Sequence, residues 1–300
     1  MTEHRTDKRL IPLLLLVMCL YGSIYIANKF VVSDLDAPLI LLLRYGISSV
    51  ILLPMTAARS KKQDVHIASK DAVLICLTGI LGYAGGVGAQ LLGTKYAGAA
   101  TASVINAMNP IAITILAAFL LKERLVWYRI LAVCLAVAGA VLIVSGGTGG
   151  EMKGIWWSVL AVILWSLMSV LIRRFSQKYD PLTVTAISMA AAGAVLLVVV
   201  LATNRTSLQD ISGVQWAALI YIALACTALA HSLWNYCLSR MDASFCSMFY
   251  PVQPLVSTIL AIIILHETIK PTLIAGGLLI ITGLLTALWM ERRERHPQKH

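Results

Sequence analysis

The chain has 300 residues, with 59% hydrophobic and only 13% charged side chains. That composition is too apolar for a soluble domain of this length and leaves no room for a large water-soluble module. The formal net charge of +10 would suit nucleic-acid binding, but the basic residues sit at the ends of apolar runs, where they mark membrane topology instead.

The first residues, Met1 to Arg9, are polar and basic, and an apolar run starts at Leu10. This resembles a signal peptide, yet the run continues past Gly22 to about Phe30 without a small-x-small cleavage pattern. It is therefore expected to be the first membrane helix. The apolar runs predict ten spans: 10–30, 37–58, 71–92, 97–121, 126–146, 154–174, 182–203, 214–238, 243–265 and 271–290. The loops between them are short. Asp34 and Asp36 fill the first, Ser60 to Ser69 the second, and Gly146, Gly147, Gly149 and Gly150 make a flexible joint at the middle of the chain.

Lysine and arginine set the orientation. If the N-terminal side is inside, only Lys29, Lys95, Lys153, Arg205 and Lys270 fall outside, and Arg44 lies within a span. All other basic residues fall inside, which predicts cytoplasmic termini in a plasma (inner) membrane.

The two halves repeat. Pro110 and Pro254 are 144 positions apart, as are Glu123 and Glu267, and Gly139 and Gly283. Gly22-Ser23 echoes Trp165-Ser166, and Pro38 echoes Pro181, both at 143. Such a repeat governs the reading of the whole fold. Five spans per half is odd, so the second half enters the membrane inverted. The expected architecture is an all-α polytopic membrane protein of ten transmembrane helices in two inverted five-helix repeats. The first repeat covers 1–146, an external joint 147–153, the second repeat 154–290, and a cytoplasmic tail 291–300. Inverted repeats are a recurring plan of secondary transporters.

Both prolines fall inside runs long enough to span a bilayer. A proline removes one helical hydrogen bond, so the carbonyls of Asn106 and Tyr250 are expected to lose their partners. Freed backbone at that depth is tolerated where it is buried in protein or lines a wet cavity. Matching breaks in two halves point to a transporter's binding site.

The doubled Asn109-Pro110 to Glu123 and Gln253-Pro254 to Glu267 segments, with Ala243-Ser244 before the second, resemble the EamA-type members of the drug/metabolite transporter superfamily. The resemblance covers essentially the whole chain. It implies ten helices with both ends inside, and a central cavity built by helices 1, 3, 4, 6, 8 and 9. It also implies export of amino acids or other small metabolites. It does not carry a substrate over, because the family is broad.

Helix 8 is the most informative run. Thr227, His231, Trp234 and Asn235 recur at helical spacing on one face. A polar and aromatic stripe inside hydrocarbon should face the bundle interior. His231 is read either as a core histidine bonded to a neighbouring helix, or as a substrate contact or proton carrier. Helix 3 is rich in glycine, which allows close helix approach. Its Gln90 aligns with Trp234 and is placed on the cavity, with Tyr83 a weaker candidate. Asn106, Asn109, Tyr250 and Gln253 suit an uncharged or zwitterionic ligand, or alternatively only satisfy broken backbone. Trp165 is counted with the substrate-binding set, and Tyr21, Tyr25, Asn28 and Ser166 are further wall residues.

Arg44, Glu123 and Glu267 are read as gating or structural charges, Arg44 in an ion pair or snorkelling and the glutamates capping neighbouring helix N-termini. No acid sits mid-span, which disfavours a cationic drug. The six cysteines lie in apolar runs without metal-type spacing. No metal and no cofactor are expected, and no nucleic-acid partner. The expected partners are a small-molecule substrate and the lipid bilayer, and a homodimer is compatible with the sequence. His266-Glu267 lacks the second histidine of a metalloprotease, and His231 has no nucleophile turn, so an intramembrane enzyme is disfavoured. A channel is argued against by the doubled breaks. The favoured function is a secondary transporter, in the export direction, of small neutral or zwitterionic metabolites such as amino acids. The alternative is a small-drug efflux transporter.

Overall fold

The computed structural model describes residues 7–31, 35–63, 67–106, 108–123, 126–144, 151–203, 211–265 and 271–295. A short 3-10 turn, Lys8–Leu10, leads into α1 (Ile11–Lys29), and α2 (Ala37–Gln63) follows. Next come α3 (Ser69–Gly79), a π-helical turn (Ile80–Gly86) and α4 (Val87–Asn106). Then α5 (Asn109–Leu120) and α6 (Trp127–Val144) complete the first half. The second half holds α7 (Met152–Ser176), α8 (Pro181–Ala202), α9 (Gly213–Tyr221), a second π turn (Ile222–Leu229) and α10 (Ala230–Arg240). It ends with α11 (Ala243–Ser247), α12 (Val252–Leu265) and α13 (Pro271–Arg295).

No strand occurs among the described residues. Among the described residues, six helical segments are long and apolar enough to cross a bilayer: Ile11–Asn28, Ala37–Arg59, Ser69–Ala97, Met152–Ser176, Pro181–Ala202 and Gly213–Arg240. Shorter apolar helices run Asn109–Leu120, Trp127–Gly139, Leu255–Ile264 and Ile274–Ala287. Large apolar side chains such as Phe119, Val198, Ile263 and Leu278 point outward. An outer surface of that kind belongs against lipid. The chain is an all-α, multi-pass membrane protein.

The prolines do not act as mid-helix breaks. Pro110 sits in the first turn of α5, where its missing N–H costs nothing. The carbonyl of Asn106 accepts from the Asn109 side chain at 2.8 Å, and that of Tyr250 from the Gln253 amide at 2.9 Å. Both expected orphan carbonyls are thus bonded locally. Helical backbone also runs through the expected connection at 93–96 as far as Asn106. The chain nevertheless doubles back: Gly93 and Ala97 lie against Ser158 and Gly154 of α7, whereas Asn109 returns to Ser166. Of the expected joint at 147–153, residues 147–150 lie outside the described residues, as does Glu267.

Contacts within the bundle follow the repeat. α1 packs on α12 as α7 packs on α5, α1 on α10 as α7 on α4, and α2 on α8, with α6 and α13 paired to one side. The corresponding helices α1 and α7 run in opposite directions. Along α7, Trp165 meets His231 and Arg173 meets Asp242, so α7 runs with α10. Along α1, Tyr21 meets His231 and Ser23 meets Tyr221, so α1 runs against it.

Glycines set how closely these helices approach. A Cβ at Gly79 would strike the Ser188 backbone, and one at Gly82 would strike Met168. Gly46 faces open space. Gly79→Ala is therefore expected to destabilise the purified protein by about 1–3 kcal/mol through overpacking. Gly46→Ala should be neutral or stabilising by up to about 1 kcal/mol. Thermal unfolding in detergent compares the two, and equal stability of both variants would contradict the packing.

Candidate functional site

The two π turns build the site. In a π turn a backbone amide reaches five residues back, which displaces carbonyls from the helical ladder. The Val87 N–H bonds Gly82 and Ala84 and passes over the Tyr83 carbonyl. The Ala230 N–H bonds Ala225 and Thr227 and passes over the Cys226 carbonyl. These positions are again 143 apart. In the second turn, His231 Nδ1 lies 3.2 Å from the Cys226 oxygen. A carbonyl only accepts, so Nδ1 carries the proton and Nε2 presents a lone pair.

Aromatic rings enclose that imidazole. Tyr21, Tyr83 and Trp165 lie with ring centroids 5.1, 5.2 and 5.6 Å from it. Tyr45 lies 5.5 Å from Tyr83. Trp165 donates its indole N–H to the Tyr250 hydroxyl, and Tyr250 packs at 5.2 Å edge-on to Trp234. The cluster thus joins α1, α2, the first π turn, α7, α10 and the turn before α12. Edge-to-face pairs of this kind hold ring orientation, each by about 0.5–1.5 kcal/mol.

Hydrogen bonds fix the polar groups in the same way. The Thr185 hydroxyl donates to the Pro181 carbonyl at 2.7 Å, so its oxygen accepts from Asn235 Nδ2 at 2.8 Å. The same amide nitrogen reaches the Tyr83 hydroxyl at 3.3 Å. Asn235 Oδ1 then points away unpaired. Among the described residues, Tyr21 Oη, Tyr45 Oη, His231 Nε2, Trp234 Nε1 and Asn235 Oδ1 are all buried without a hydrogen-bond partner. Each such group costs about 1–3 kcal/mol if left unsatisfied. Five of the ten such atoms among the described residues gather at this one cluster, where a polar molecule would find donors and acceptors together.

The other expected site residues are distributed around it. Asn109 bonds Asn106 and accepts from Ser166 at 3.3 Å. Gln253 is buried with its amide 3.5 Å from the Met18 sulfur. Gln90 is half-buried, with no side-chain hydrogen bond into the cluster among the described residues. Asn28 is half-buried near the end of α1, and the Tyr25 side chain lies outside the described residues. Arg44 is 6% exposed, and its Nε donates to the Thr227 hydroxyl.

Glu123 belongs to a different structure. Lys122, at φ 55, ends α5 in a left-handed turn that brings Glu123 back over the helix end. Its carboxylate accepts from the Ala243 and Ser244 amides at 3.0 and 3.2 Å and from the Ser244 hydroxyl at 2.7 Å. It also pairs with Arg173, whose other nitrogen bonds Asp242 at 3.1 Å. Arg129, 1% exposed, bonds Asp242 at 3.3 Å and Ser244 at 2.9 Å. Glu123 and Arg129 come from the first half, and Arg173 and Asp242 from the second. Two cations and two anions thus form a buried clasp between the halves.

Sequence reasoning missed Tyr45, Thr185 and both π turns, and it read Arg129 and Arg173 only as topology signals. The repeat spacing of 143 was the available clue to the paired turns. Nothing in residue type announced Thr185, whose role depends on α8 crossing α10. A shallow groove lined by Asp71, Leu74, Thr78, Leu171, Arg174, Phe175 and Lys178 lies apart from the cluster. The Lys178 ammonium there is held above its usual pKa by its hydrogen bond to Asp71.

Comparison with known proteins agrees with the two-part plan. The sequence model of the EamA-like transporter family matches residues 8–145 and again residues 152–289. The chain is 28% identical over 265 residues to the uncharacterized transporter YyaM of Bacillus subtilis, covering 85% of this chain and 86% of that one. It is 27% identical over 219 residues to a protein of Streptantibioticus cattleyicolor named a probable terminal-alkyne amino-acid exporter, covering 72% and 73%. A solved crystal structure superposes with a TM-score of 0.82 over 96% of this chain and 99% of that one, at 19% identity, a likeness of fold.

The clasp makes a prediction. Arg173→Met leaves Glu123 and Asp242 short of a cation in a buried site, which is expected to destabilise the protein by about 3–5 kcal/mol. Combining it with Glu123→Gln should recover part of that loss. A double variant no more stable than Arg173→Met, measured by thermal unfolding, would show that the two charges are not coupled.

Proposed function

Because the chain belongs to the EamA-like transporter family, whose named relatives are transporters and not enzymes, we propose that it moves small neutral or zwitterionic metabolites, amino acids foremost, through a site at the aromatic cluster. The observation that carries this is the set of five unpartnered polar atoms around His231. Hydroxyl and indole donors, imidazole and amide acceptors, and several aromatic faces suit a small polar molecule. The relative named as a probable amino-acid exporter supports the same class. Small-drug efflux is the second reading, favoured by the aromatic walls alone.

The six long and four shorter apolar helices support ten spans in two inverted five-helix repeats, with 1–146 and 154–290 as the repeats. Basic residues support cytoplasmic termini in the plasma membrane and an external joint at 147–153. Alternating access then follows from the inversion: opening one face re-creates, upside down, the arrangement that opened the other. Glu123 serves the inner gate through the clasp, and Glu267 is its counterpart by position. Export is the proposed direction.

Three tests follow. Thr148→Cys should label from outside intact cells, and labelling only after permeabilisation would reject the topology. Trp234→Ala and Asn235→Leu should each weaken substrate binding by roughly 10-fold or more without loss of folded protein, while Ile274→Ala in α13 should not. Wild-type affinity in both folded site variants would place the site elsewhere. If His231 carries a coupled proton, His231→Gln should abolish gradient-driven accumulation yet spare exchange of labelled for unlabelled substrate. Unchanged accumulation would leave the imidazole as a wall of the site.

A further inference from the structure

Arg44 is a full charge inside an apolar bundle, and the described acids do not neutralise it. The ion pairs among described residues join Arg129 and Arg173 to Glu123 and Asp242, and Lys178 to Asp71. Arg44 instead donates Nε to Thr227, whose own hydroxyl is committed to the Ile222 carbonyl at 2.7 Å in the second π turn. Its guanidinium carbon stands 5.5 Å from the Tyr45 ring centroid. Its terminal nitrogens are absent from the sealed, unpartnered atoms, although the residue as a whole is only 6% exposed. They therefore keep some accessible surface. An intramembrane arginine without a counter-charge is expensive and calls for a partner at its free face.

The surroundings sort by hydrogen-bonding sense. Tyr45 Oη and Tyr21 Oη are unpartnered hydroxyls that can donate to an anion. Across the aromatic box, His231 Nε2 and Asn235 Oδ1 are unpartnered acceptors, their orientation fixed by Cys226 and Thr185. Thr227 lies one helical turn before His231, so the cationic and accepting ends belong to one face of one helix. A donor-rich, positive end and an acceptor-rich, ring-walled end match the two ends of an α-amino acid.

We propose that Arg44 is the carboxylate anchor of the transport site, and that the substrate must carry a free carboxylate. Its planar fork grips the two oxygens in parallel, Tyr45 and Tyr21 complete the cradle, and the ammonium lies against His231 Nε2, Asn235 Oδ1 and the rings. Carboxamides, esters and simple amines are rejected because they leave the guanidinium buried without an anion. The assignment rests on the reading of the aromatic cluster as the ligand site.

The test uses the purified full chain in nanodiscs and a panel of the L-amino acids with their 2-hydroxy and 2-keto analogues at millimolar concentration. Each ligand that stabilises the protein is then compared with its own amide and decarboxylated amine by calorimetry. Wild-type protein should bind the acid at least 30-fold more tightly than the amide. In Arg44→Gln that preference should vanish through loss of acid affinity alone, with the amide unchanged, and Arg44→Lys should restore part of it. Unliganded Arg44→Gln should melt no lower than wild type, because a buried charge has been removed, whereas a structural ion-pair role would lower it. Folded Arg44→Gln that retains the full preference for acid over amide overturns the anchor, as does the absence of any carboxylate binder in the panel. Loss of binding in Trp234→Ala beside full binding in Arg44→Gln rejects the anchor but keeps the site. Full binding in both variants rejects the site itself.

Discussion

Inside a bilayer no water is available to rescue a polar group, so each donor, acceptor and charge must meet a partner within the protein or on a ligand. That constraint orders the whole molecule. Helices satisfy the backbone. Local bonds satisfy the helix ends: the Asn109 side chain donates to the Asn106 carbonyl and the Gln253 backbone N–H to that of Tyr250. Among the described residues, five of the ten sealed polar atoms left after this accounting gather at one cluster, around His231, and it is this grouping that the proposed site rests on.

Charge is handled in two contrasting ways. At the clasp, two acids and two arginines from opposite halves neutralise one another and share helix-end amides and a serine hydroxyl. This ties the two halves of the chain to one another. Glu123 is well placed for it because the left-handed turn at Lys122 returns it to α11. At Arg44 the opposite holds: among the described residues the cation is supported by a hydroxyl and an aromatic face, with no acid paired to it. The first arrangement holds a conformation, and the second reserves a place for an anion.

Much of the architecture was legible in residues alone. The repeat of Pro110 and Pro254, Glu123 and Glu267 forecast two halves, and the family match at 8–145 and 152–289 shows them. The stripe Thr227, His231, Trp234 and Asn235 was legible because helical spacing groups side chains on a face. All four are buried in the structure. The proline argument failed in detail because a proline in a first helical turn loses no bond. The real departures from ideal helix are the π turns, which carry no shared residue signature: one contains three glycines and the other none. Tyr45 and Thr185 were invisible because their roles arise from helix crossings, which no local pattern encodes.

The central claim is that a substrate enters the space bounded by Trp165, Trp234 and His231. Both indoles can report on it directly. In a folded variant with Trp127, Trp156, Trp157, Trp216 and Trp289 replaced by phenylalanine, only Trp165 and Trp234 emit. Titration with a transported substrate should shift that emission saturably, with a midpoint matching half-saturation of transport. Emission that stays constant while the same preparation transports the substrate would contradict the account.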